Sequence, residues 1–349
     1  MSPSLAPSLQ HLEPEELTIR RVRRGRGFSY HTVSGKRIED APRIERIRAL
    51  AIPPAWIDVR ISDLADSHLQ AVGRDARGRT QYRYHPEWRA FRDRVKFDRL
   101  LVFGESLPAV RARIEHDLSQ PGVPRDKVVA TVVELLQTTL IRVGNERYAR
   151  ENGAYGLTTF RNKHAKVSGA EMHFVFNGKS GLHHEVRARD ARVAEVLRRC
   201  QEIPGQRLFQ YVGDQGEIEP VYSHDVNDYL REAADADITA KDFRTWVATV
   251  SAAAQLASIE APASAVEERR LANEVVAAVA KELGNTPAVC RASYIDPKVL
   301  TGFGSGELQE DWALPPRRRA GLTPDERHTL VVLGSRGRQR RAGRQAAAA

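Results

Sequence analysis

The stretch that decides the fold reads Met172-His173-Phe174-Val175-Phe176-Asn177-Gly178-Lys179-Ser180-Gly181-Leu182. Large apolar residues stand at positions 172, 174 and 176, which is the two-residue period of a strand with one buried face. The Asn-Gly pair that follows, with a second glycine close behind, is typical of a hairpin turn. We therefore predict a β-hairpin of strands at residues 172–176 and 182–186, with Lys179 at its tip. A third antiparallel strand, at residues 157–160, completes the predicted sheet.

A long helix is predicted before this sheet. Five apolar residues recur there at helical spacing, so the helix should be buried on one side and should carry Arg142 at its end. These residues are Val128, Val132, Leu136, Leu140 and Val143.

After residue 190 nearly every segment has a helical pattern. The predicted helices are residues 191–199, residues 226–234, a segment opened by Thr239 with Asp242 as its capping-box partner, and residues 264–283. A further helix is predicted at residues 324–333. Tyr294 follows the helix start at Thr286-Pro287 and precedes Asp296-Pro297, so we expect it at the end of a short helix.

The pattern before residue 96 is different and favours strands. Residues 71–85 predict a hairpin that turns at residues 75–79 and projects Tyr82 and Tyr84 to one face. The charged stretch at residues 89–99 is consistent either with a connector or with a continuous helix. We therefore predict an α+β protein with a small β-rich domain at residues 1–95 and a mostly α-helical domain at residues 96–349.

Both ends of the chain differ in composition from the rest. Residues 1–16 are rich in serine, proline and acidic residues, and we expect them to be disordered. Residues 334–349 are rich in arginine and alanine, and we expect a flexible basic tail.

Composition narrows the function. The 349 residues include 54 Lys and Arg against 45 Asp and Glu, a net charge of +9 that suits a polyanionic partner. Cys200 and Cys290 are the only cysteines and form no C-x-x-C motif, so we predict neither a disulfide framework nor a zinc site. Neither a signal peptide nor an apolar run of bilayer length is present, and we expect a cytoplasmic protein without membrane contact.

No cofactor is expected. Gly178-Lys179-Ser180 resembles the end of a phosphate-binding loop, but that motif needs a glycine where His173 stands and a strand-to-helix context. The acidic residues form no cluster of the kind that holds divalent ions, so no metal is predicted.

Four residues nevertheless form a set with a clear chemical meaning: Arg142, Lys179, Arg244 and Tyr294. Three cations and a phenol can transfer a phosphodiester without a metal, because the cations compensate the charge of the transition state and the phenol supplies a nucleophile. Each residue alone is more often a surface group or, for the tyrosine, a core side chain. The contexts of the four residues decide between these interpretations.

The sequences around these four residues resemble those of the type IB DNA topoisomerases, in the small form found in poxviruses and bacteria. The similarity covers roughly residues 20–310, and the matching segments occur in the order of the family. These segments are Ile141-Arg142-Val143-Gly144 leading to Tyr148, Gly156-Leu157-Thr158-Thr159-Phe160-Arg161-Asn162-Lys163-His164, Gly178-Lys179, Lys241-Asp242-Phe243-Arg244-Thr245, and Gly284-Asn285-Thr286-Pro287 leading to Tyr294.

The resemblance implies a mechanism. Tyr294 would form a 3′-phosphotyrosyl bond, Lys179 would protonate the leaving 5′-oxygen, and Arg142 and Arg244 would hold the nonbridging oxygens, without ATP or metal. The family usually has a histidine where this chain has Asn285. An amide can donate a hydrogen bond to a phosphate oxygen but cannot carry a proton, so Asn285 is expected to orient and stabilise.

The resemblance also implies a partner and a shape. It assigns DNA contacts to Gln81, Tyr82, Tyr84, Tyr148 and Lys163, although cross-strand packing is an equally common role for the paired tyrosines. Its two domains would form a C-shaped clamp around double-stranded DNA. A monomer associated with the nucleoid is the expected state.

Two alternatives remain open from the sequence. A tyrosine recombinase uses the same chemistry, but Lys241-x-x-Arg244 in place of a His-x-x-Arg pattern and the β-rich first domain argue against it. The other alternative is a noncatalytic basic DNA-binding protein that retains the fold but has lost the reaction. Asn285, in place of the usual histidine, would be a sign of that loss.

Overall fold

The computed structural model describes residues 8–76, 78–213 and 215–335, except for the side chain of Ser180. Two compact units divide between Phe97 and Asp98. Strands dominate the first and helices the second, which confirms the α+β class. The predicted basic tail falls almost entirely on residues outside these ranges, as do residues 1–7.

The first unit is built on a five-stranded antiparallel sheet in the order β2-β1-β3-β4-β5. Its strands are β1 (Ile19–Arg24), β2 (Gly27–Thr32), β3 (Ile57–Ile61), β4 (Leu69–Arg74) and β5 (Thr80–Tyr84). The short helix α1 (Ala41–Ala49) packs its buried Ile47 with Ile19, Ile61 and Ala71 from the sheet. The predicted hairpin at residues 71–85 is confirmed as β4 and β5.

Disorder is a wrong prediction for residues 8–16. The Gln10 amide donates to the Asp66 carbonyl at 3.0 Å, and the His68 amide donates to the Gln10 carbonyl at 2.8 Å. Leu12 packs beside the buried Leu69, and a 3-10 helix follows at Pro14–Glu16. The composition of this segment did not indicate order, because backbone hydrogen bonds and a packed leucine hold it in place and no apolar periodicity is involved.

The charged stretch at residues 89–99 is helical. It lies within α2 (Pro86–Leu118), and the boundary between the units falls inside this helix. The helix α3 (Arg125–Thr139) follows. It buries Val128, Val132 and Leu136, as the helical spacing predicted.

The prediction that this helix carries Arg142 at its end is wrong by three residues. Leu140 adopts a left-handed conformation with φ 56° and ends the helix. The Thr139 hydroxyl helps to end it, because it accepts a hydrogen bond from the Ile141 amide at 3.3 Å. Arg142 therefore lies on a loop.

The three-stranded antiparallel sheet is present with a different first strand. It consists of β6 (Ala165–Ser168), β7 (Glu171–Asn177) and β8 (His183–Arg189) in that order. The expected strand at residues 157–160 is instead a 3-10 helix, Leu157–Thr159. The Thr159 hydroxyl accepts from the Gly156 amide at 2.9 Å and donates to the Gly156 carbonyl at 3.0 Å, and such local bonds compete with strand pairing.

The remaining elements are mostly helices. They are α4 (Glu146–Asn152), α5 (Ala191–Glu202), α6 (Ser223–Ala234), α7 (Ala240–Ala257), α8 (Ala265–Glu282), α9 (Pro287–Ser293), α10 (Pro297–Ser305), α11 (Glu307–Ala313) and α12 (Pro324–Gly334), with a small two-stranded sheet of β9 (Gln210–Val212) and β10 (Ile218–Pro220). The predicted helices after residue 190 are confirmed, including the capping box of Thr239 and Asp242. A core of Ala252, Val276, Val279, Cys290 and Phe303 joins α7 to α10.

Candidate active site

Arg142 is placed by a close contact between two loops. The Leu157 amide donates to the Arg142 carbonyl at 2.9 Å, and the Thr158 amide donates to the Val143 carbonyl at 2.7 Å. A Cβ atom at Gly156 would lie 2.5 Å from the Arg142 carbonyl oxygen, so this approach requires glycine. The loop of Arg142 and Val143 and the segment Gly156-Leu157-Thr158 thus form one structural unit.

Arg244 is a buried cation held by two helix ends. It lies near the start of α7 and is only 6% exposed. Its guanidinium donates to the carbonyl of Leu140, which ends α3, and to that of Leu283, which ends α8, the latter at 2.5 Å. Helix carboxyl ends carry partial negative charge, so both helices stabilise this cation. Two of its five N–H groups are used in this way, and its buried Nε–H, which has no partner among the described residues, remains for a ligand.

Tyr294 is fixed to the same helix as Arg244. It ends α9, as predicted, and its amide donates to the Cys290 carbonyl at 2.9 Å. The Thr249 hydroxyl of α7 donates to the Tyr294 carbonyl at 3.2 Å and accepts from the Asp296 amide at 3.1 Å. The backbone of the tyrosine is therefore anchored on both sides.

The phenol of Tyr294 lies among the arginines. Its ring centre is 5.4 Å from the guanidinium carbon of Arg244. Burial raises the pKa of the Tyr294 phenol, but the charges of Arg244 and Arg142, with their hydrogen bonds to it, bring this pKa below the ordinary value. Burial, followed by the charge of Arg142, lowers the pKa of Arg244. The site therefore stabilises a phenolate.

Asn285 completes this group. The Arg142 guanidinium donates to the Asn285 Oδ1 atom at 3.0 Å, which fixes the amide because a guanidinium can only donate. The Asn285 Nδ2 atom is buried and has no partner among the described residues. An N–H donor is thus available beside the two arginines. The helix that follows is capped by Thr286 and not by Asn285.

Lys179 is exposed and opens the turn between β7 and β8, as predicted. The preceding Gly178 touches the ring of His184, because a Cβ atom there would lie 2.7 Å from the ring Cδ2 atom. Burial lowers the pKa of His184, and the charges of Arg142 and Arg244 lower it further. His184 thus contacts the lysine turn and lies within the electrostatic influence of both arginines. Sequence reasoning missed it, although the alternation of β8 places His184 on the same face as Val186.

The five predicted DNA contacts lie in two places. In the first unit, Tyr82 and Tyr84 stack with ring centres 6.0 Å apart, are 43% and 39% exposed, and lie on one face as predicted. Gln81 donates to Asp75 at 3.0 Å. In the second unit, Tyr148 on α4 is 58% exposed, and Lys163 is exposed in the 3-10 helix Asn162–His164.

Neither a candidate metal site nor a membrane-spanning helix occurs among the described residues. Residues 8–76, 78–213 and 215–335 contain no group of three or more His, Cys, Asp or Glu side chains that could hold a metal ion. Within the same ranges no helix combines the length and apolar character needed to cross a membrane.

Comparison with known proteins gives the family. A family model described as "Eukaryotic DNA topoisomerase I, catalytic core" matches residues 85–301, and one described as "Bacterial DNA topoisomerase IB, N-terminal domain" matches residues 27–75. The chain is 31% identical over 284 residues to a DNA topoisomerase 1B of Acanthamoeba polyphaga mimivirus. This match covers 79% of this chain and 84% of the viral protein. It is 23% identical over 271 residues to the DNA topoisomerase 1B of Vaccinia virus (strain Copenhagen), covering 75% of this chain and 82% of that protein. The chain therefore belongs to the type IB DNA topoisomerases.

Proposed function

We propose that Tyr294 is the nucleophile with which this enzyme cuts one strand of supercoiled duplex DNA and relaxes it. The observation that carries the proposal is the position of the phenol between Arg244 and Arg142, whose charges lower its pKa. A phenolate attacks phosphorus more readily than a phenol, and the same cations compensate the charge that develops in the transition state.

Cleavage starts from the Tyr294 phenolate, whose proton has passed to water. The Tyr294 oxygen forms a bond to phosphorus while the bond from phosphorus to the 5′-oxygen breaks. Arg142, Arg244 and the free N–H of Asn285 hold the nonbridging oxygens, to which they donate hydrogen bonds. Lys179 gives its proton to the departing 5′-oxygen, because an alkoxide is too basic to leave readily without one.

Religation reverses these roles. The 3′-phosphotyrosyl ester retains the energy of the original phosphodiester, so the 5′-hydroxyl can attack it without ATP or a metal. While the strand is open, torsional strain turns the downstream duplex, and each closure fixes a more relaxed topology.

The remaining residues position the duplex in this proposal. The paired, exposed rings of Tyr82 and Tyr84, together with Gln81, contact a groove from the first unit, while Tyr148 and Lys163 contact DNA near the cleavage site. The two units act as a DNA-binding domain at residues 1–95 and a catalytic domain at residues 96–349, which close around the duplex as a C-shaped clamp. The enzyme works as a monomer in the cytoplasm, at the nucleoid.

A relaxation assay tests the proposal. Supercoiled plasmid is incubated in excess EDTA and without ATP with the unaltered protein, with Tyr294→Phe and with Tyr222→Phe, which alters an exposed tyrosine at the start of α6. We expect relaxation by the unaltered protein and by Tyr222→Phe, and none by Tyr294→Phe. Relaxation by Tyr294→Phe would rule out the nucleophile, and an inactive unaltered protein would favour the binding-only alternative.

The covalent intermediate gives a second test. A duplex labelled on either side of the nick is treated with the unaltered protein and denatured with detergent. Attachment of the protein to the 3′ end, with a free 5′-hydroxyl on the other fragment, is the expected result. Attachment to the 5′ end would contradict the proposed step.

A further inference from the structure

His184 occupies a narrow space between two glycines. A Cβ atom at Gly178 would lie 2.7 Å from the Cδ2 atom and 2.8 Å from the Nε2 atom of the His184 ring. On the other side, a Cβ atom at Gly284 would lie 3.5 Å from the ring Cε1 atom. Gly178 precedes Lys179, and Gly284 precedes Asn285. The imidazole therefore separates the turn that carries the lysine from the loop that carries the amide.

The sheet holds the ring rigidly in this position. His184 pairs with Phe176 across β7 and β8, and the two rings stack with centres 5.2 Å apart and planes 16° apart. Phe176 is itself buried. The Gly178 amide donates to the Leu182 carbonyl at 2.8 Å and so closes the lysine turn above the ring.

Burial and the surrounding charges both favour the neutral form of this imidazole. Burial lowers its pKa most, and Arg142, Arg244 and His183 each lower it further. A cationic ring here would repel both arginines. The ring stacks on Phe176 and lies in close contact with Gly178. The ring thus contributes shape at this point of the fold.

We infer that His184 is a positioning residue, an aromatic spacer that holds the Lys179 turn at a fixed distance from the Gly284–Asn285 loop so that the ammonium reaches the leaving 5′-oxygen. This inference rests on the proposed general-acid role of Lys179. It adds a residue that does not touch the reacting atoms and that acts only through the lysine.

The neighbouring histidine provides a matched control. His183 lies next to His184 on β8 but points to the opposite face, where it is exposed and lies 3.4 Å from the Asn177 Oδ1 atom. We expect His184→Ala to slow single-turnover cleavage by roughly 10- to 100-fold, because small misplacements of a catalytic group have effects of this order. DNA affinity should stay within about twofold. His183→Ala should cleave like the unaltered protein, and an equal rate for His184→Ala would overturn the inference.

A second variant separates shape from chemistry. His184→Phe keeps a planar ring that can stack on Phe176 but has no ring nitrogen. If the ring is a spacer, this variant should recover most of the cleavage rate that His184→Ala loses. A His184→Phe protein as slow as His184→Ala, with an unchanged thermal midpoint, would mean that the nitrogens take part in the reaction and would refute the spacer role.

A modified substrate tests whether His184 acts through Lys179. In a strand with sulfur in place of the leaving 5′-oxygen, the departing group is a thiolate, which leaves without a proton because thiols are much stronger acids than alcohols. On this substrate His184→Ala and Lys179→Ala should both cleave at nearly the rate of the unaltered protein, whereas Arg244→Lys should stay slow. Recovery of Lys179→Ala without recovery of His184→Ala would refute the inference alone. Failure of Lys179→Ala to recover would refute the proposed acid.

Discussion

The guanidinium carbon of Arg244 lies 5.4 Å from the centre of the Tyr294 ring, and α7 positions both residues. Arg244 belongs to that helix, and the Thr249 hydroxyl of the same helix donates to the Tyr294 carbonyl and accepts from the Asp296 amide. The carbonyls of Leu140 and Leu283 hold the guanidinium in place. A single helix thus sets the distance between the proposed nucleophile and a cation that is almost completely buried.

Arg244→Lys should impair both cleavage and stability. A lysine has one nitrogen and cannot bond to Leu140 and Leu283 while also reaching a phosphate. We expect the cleavage rate to fall by about 10²- to 10³-fold, as for loss of one transition-state donor. An unsatisfied buried carbonyl should cost about 1–3 kcal/mol of unfolding free energy. Single-turnover kinetics and thermal melting measure both effects, and Arg231→Lys on the exposed side of α6 is the control. An unchanged melting temperature for Arg244→Lys would contradict the anchoring role.

Arg142→Gln should change the pH dependence of cleavage. Arg142 lowers the pKa of the Tyr294 phenol, so its removal should raise that pKa and move the rising limb of the rate to higher pH. Single-turnover rates between about pH 6 and pH 10 cover the range below the ordinary tyrosine value. Arg147→Gln, on the exposed face of α4, should leave the limb in place. A limb at the same pH in Arg142→Gln and in the unaltered protein would show that Arg142 does not act on the phenol.

Asn285 should be replaceable only by another donor. Asn285→Asp keeps an acceptor for Arg142 but loses the free N–H and adds a negative charge beside the phosphate. Cleavage should fall by about tenfold in Asn285→Ala, in line with one lost hydrogen bond to a charged group, and further in Asn285→Asp. Asn285→His should retain most of the rate. An Asn285→Asp enzyme as fast as the unaltered one would exclude the donor role.

Tyr82 and Tyr84 should affect binding without affecting folding. Both rings are exposed, so the double alanine variant should keep its melting temperature while its DNA affinity falls by roughly tenfold, or about 1.4 kcal/mol. Tyr222→Ala removes another exposed, stacked tyrosine and should bind normally. Fluorescence anisotropy with labelled duplex measures the dissociation constants. Equal affinities would leave the stacked pair with a packing role alone.

Stability should decrease at acid pH because of His164. Burial lowers the pKa of His164, the charges of Lys163 and Arg161 lower it further, and its Nδ1 atom accepts a hydrogen bond from the Arg161 amide at 3.0 Å. The unfolded chain therefore binds a proton more readily than the folded one. Stability should fall as the pH drops below the ordinary histidine value of about 6.5. Melting temperatures on either side of that pH should differ less for His164→Gln than for the unaltered protein. An equal difference in both proteins would assign the effect to other groups.

The parts of the site that could be predicted are those with local causes. The Asn-Gly turn after an alternating strand places Lys179 at a hairpin tip, because turn geometry depends on neighbouring residues. The capping box of Thr239 and Asp242 starts the helix that carries Arg244, and Pro287 starts the short helix that Tyr294 ends. Each signal lies within a few residues of the element that it predicts.

The errors have distant causes as well as local ones. The sequence predicts a strand at residues 157–160, but the Thr158 amide and hydroxyl both donate to the Val143 carbonyl, and this contact holds the segment in another conformation. The end of α3 depends on the left-handed Leu140, whose carbonyl accepts from Arg244. A periodicity within one segment contains no information about either partner.

The amino-acid sequence by itself determined the α+β class, the hairpin with Lys179, the helices that carry Arg244 and Tyr294, and the resemblance to the type IB enzymes. Only the tertiary structure decided that Arg142 and Asn285 form a hydrogen-bonded pair, that two helix ends hold Arg244, and that His184 separates the lysine turn from the Asn285 loop. The physical reason is range: turn, capping and periodicity preferences act between near neighbours in the chain. The contacts that create the charged environment of Tyr294 join residues up to 143 positions apart, which meet only when the helices pack.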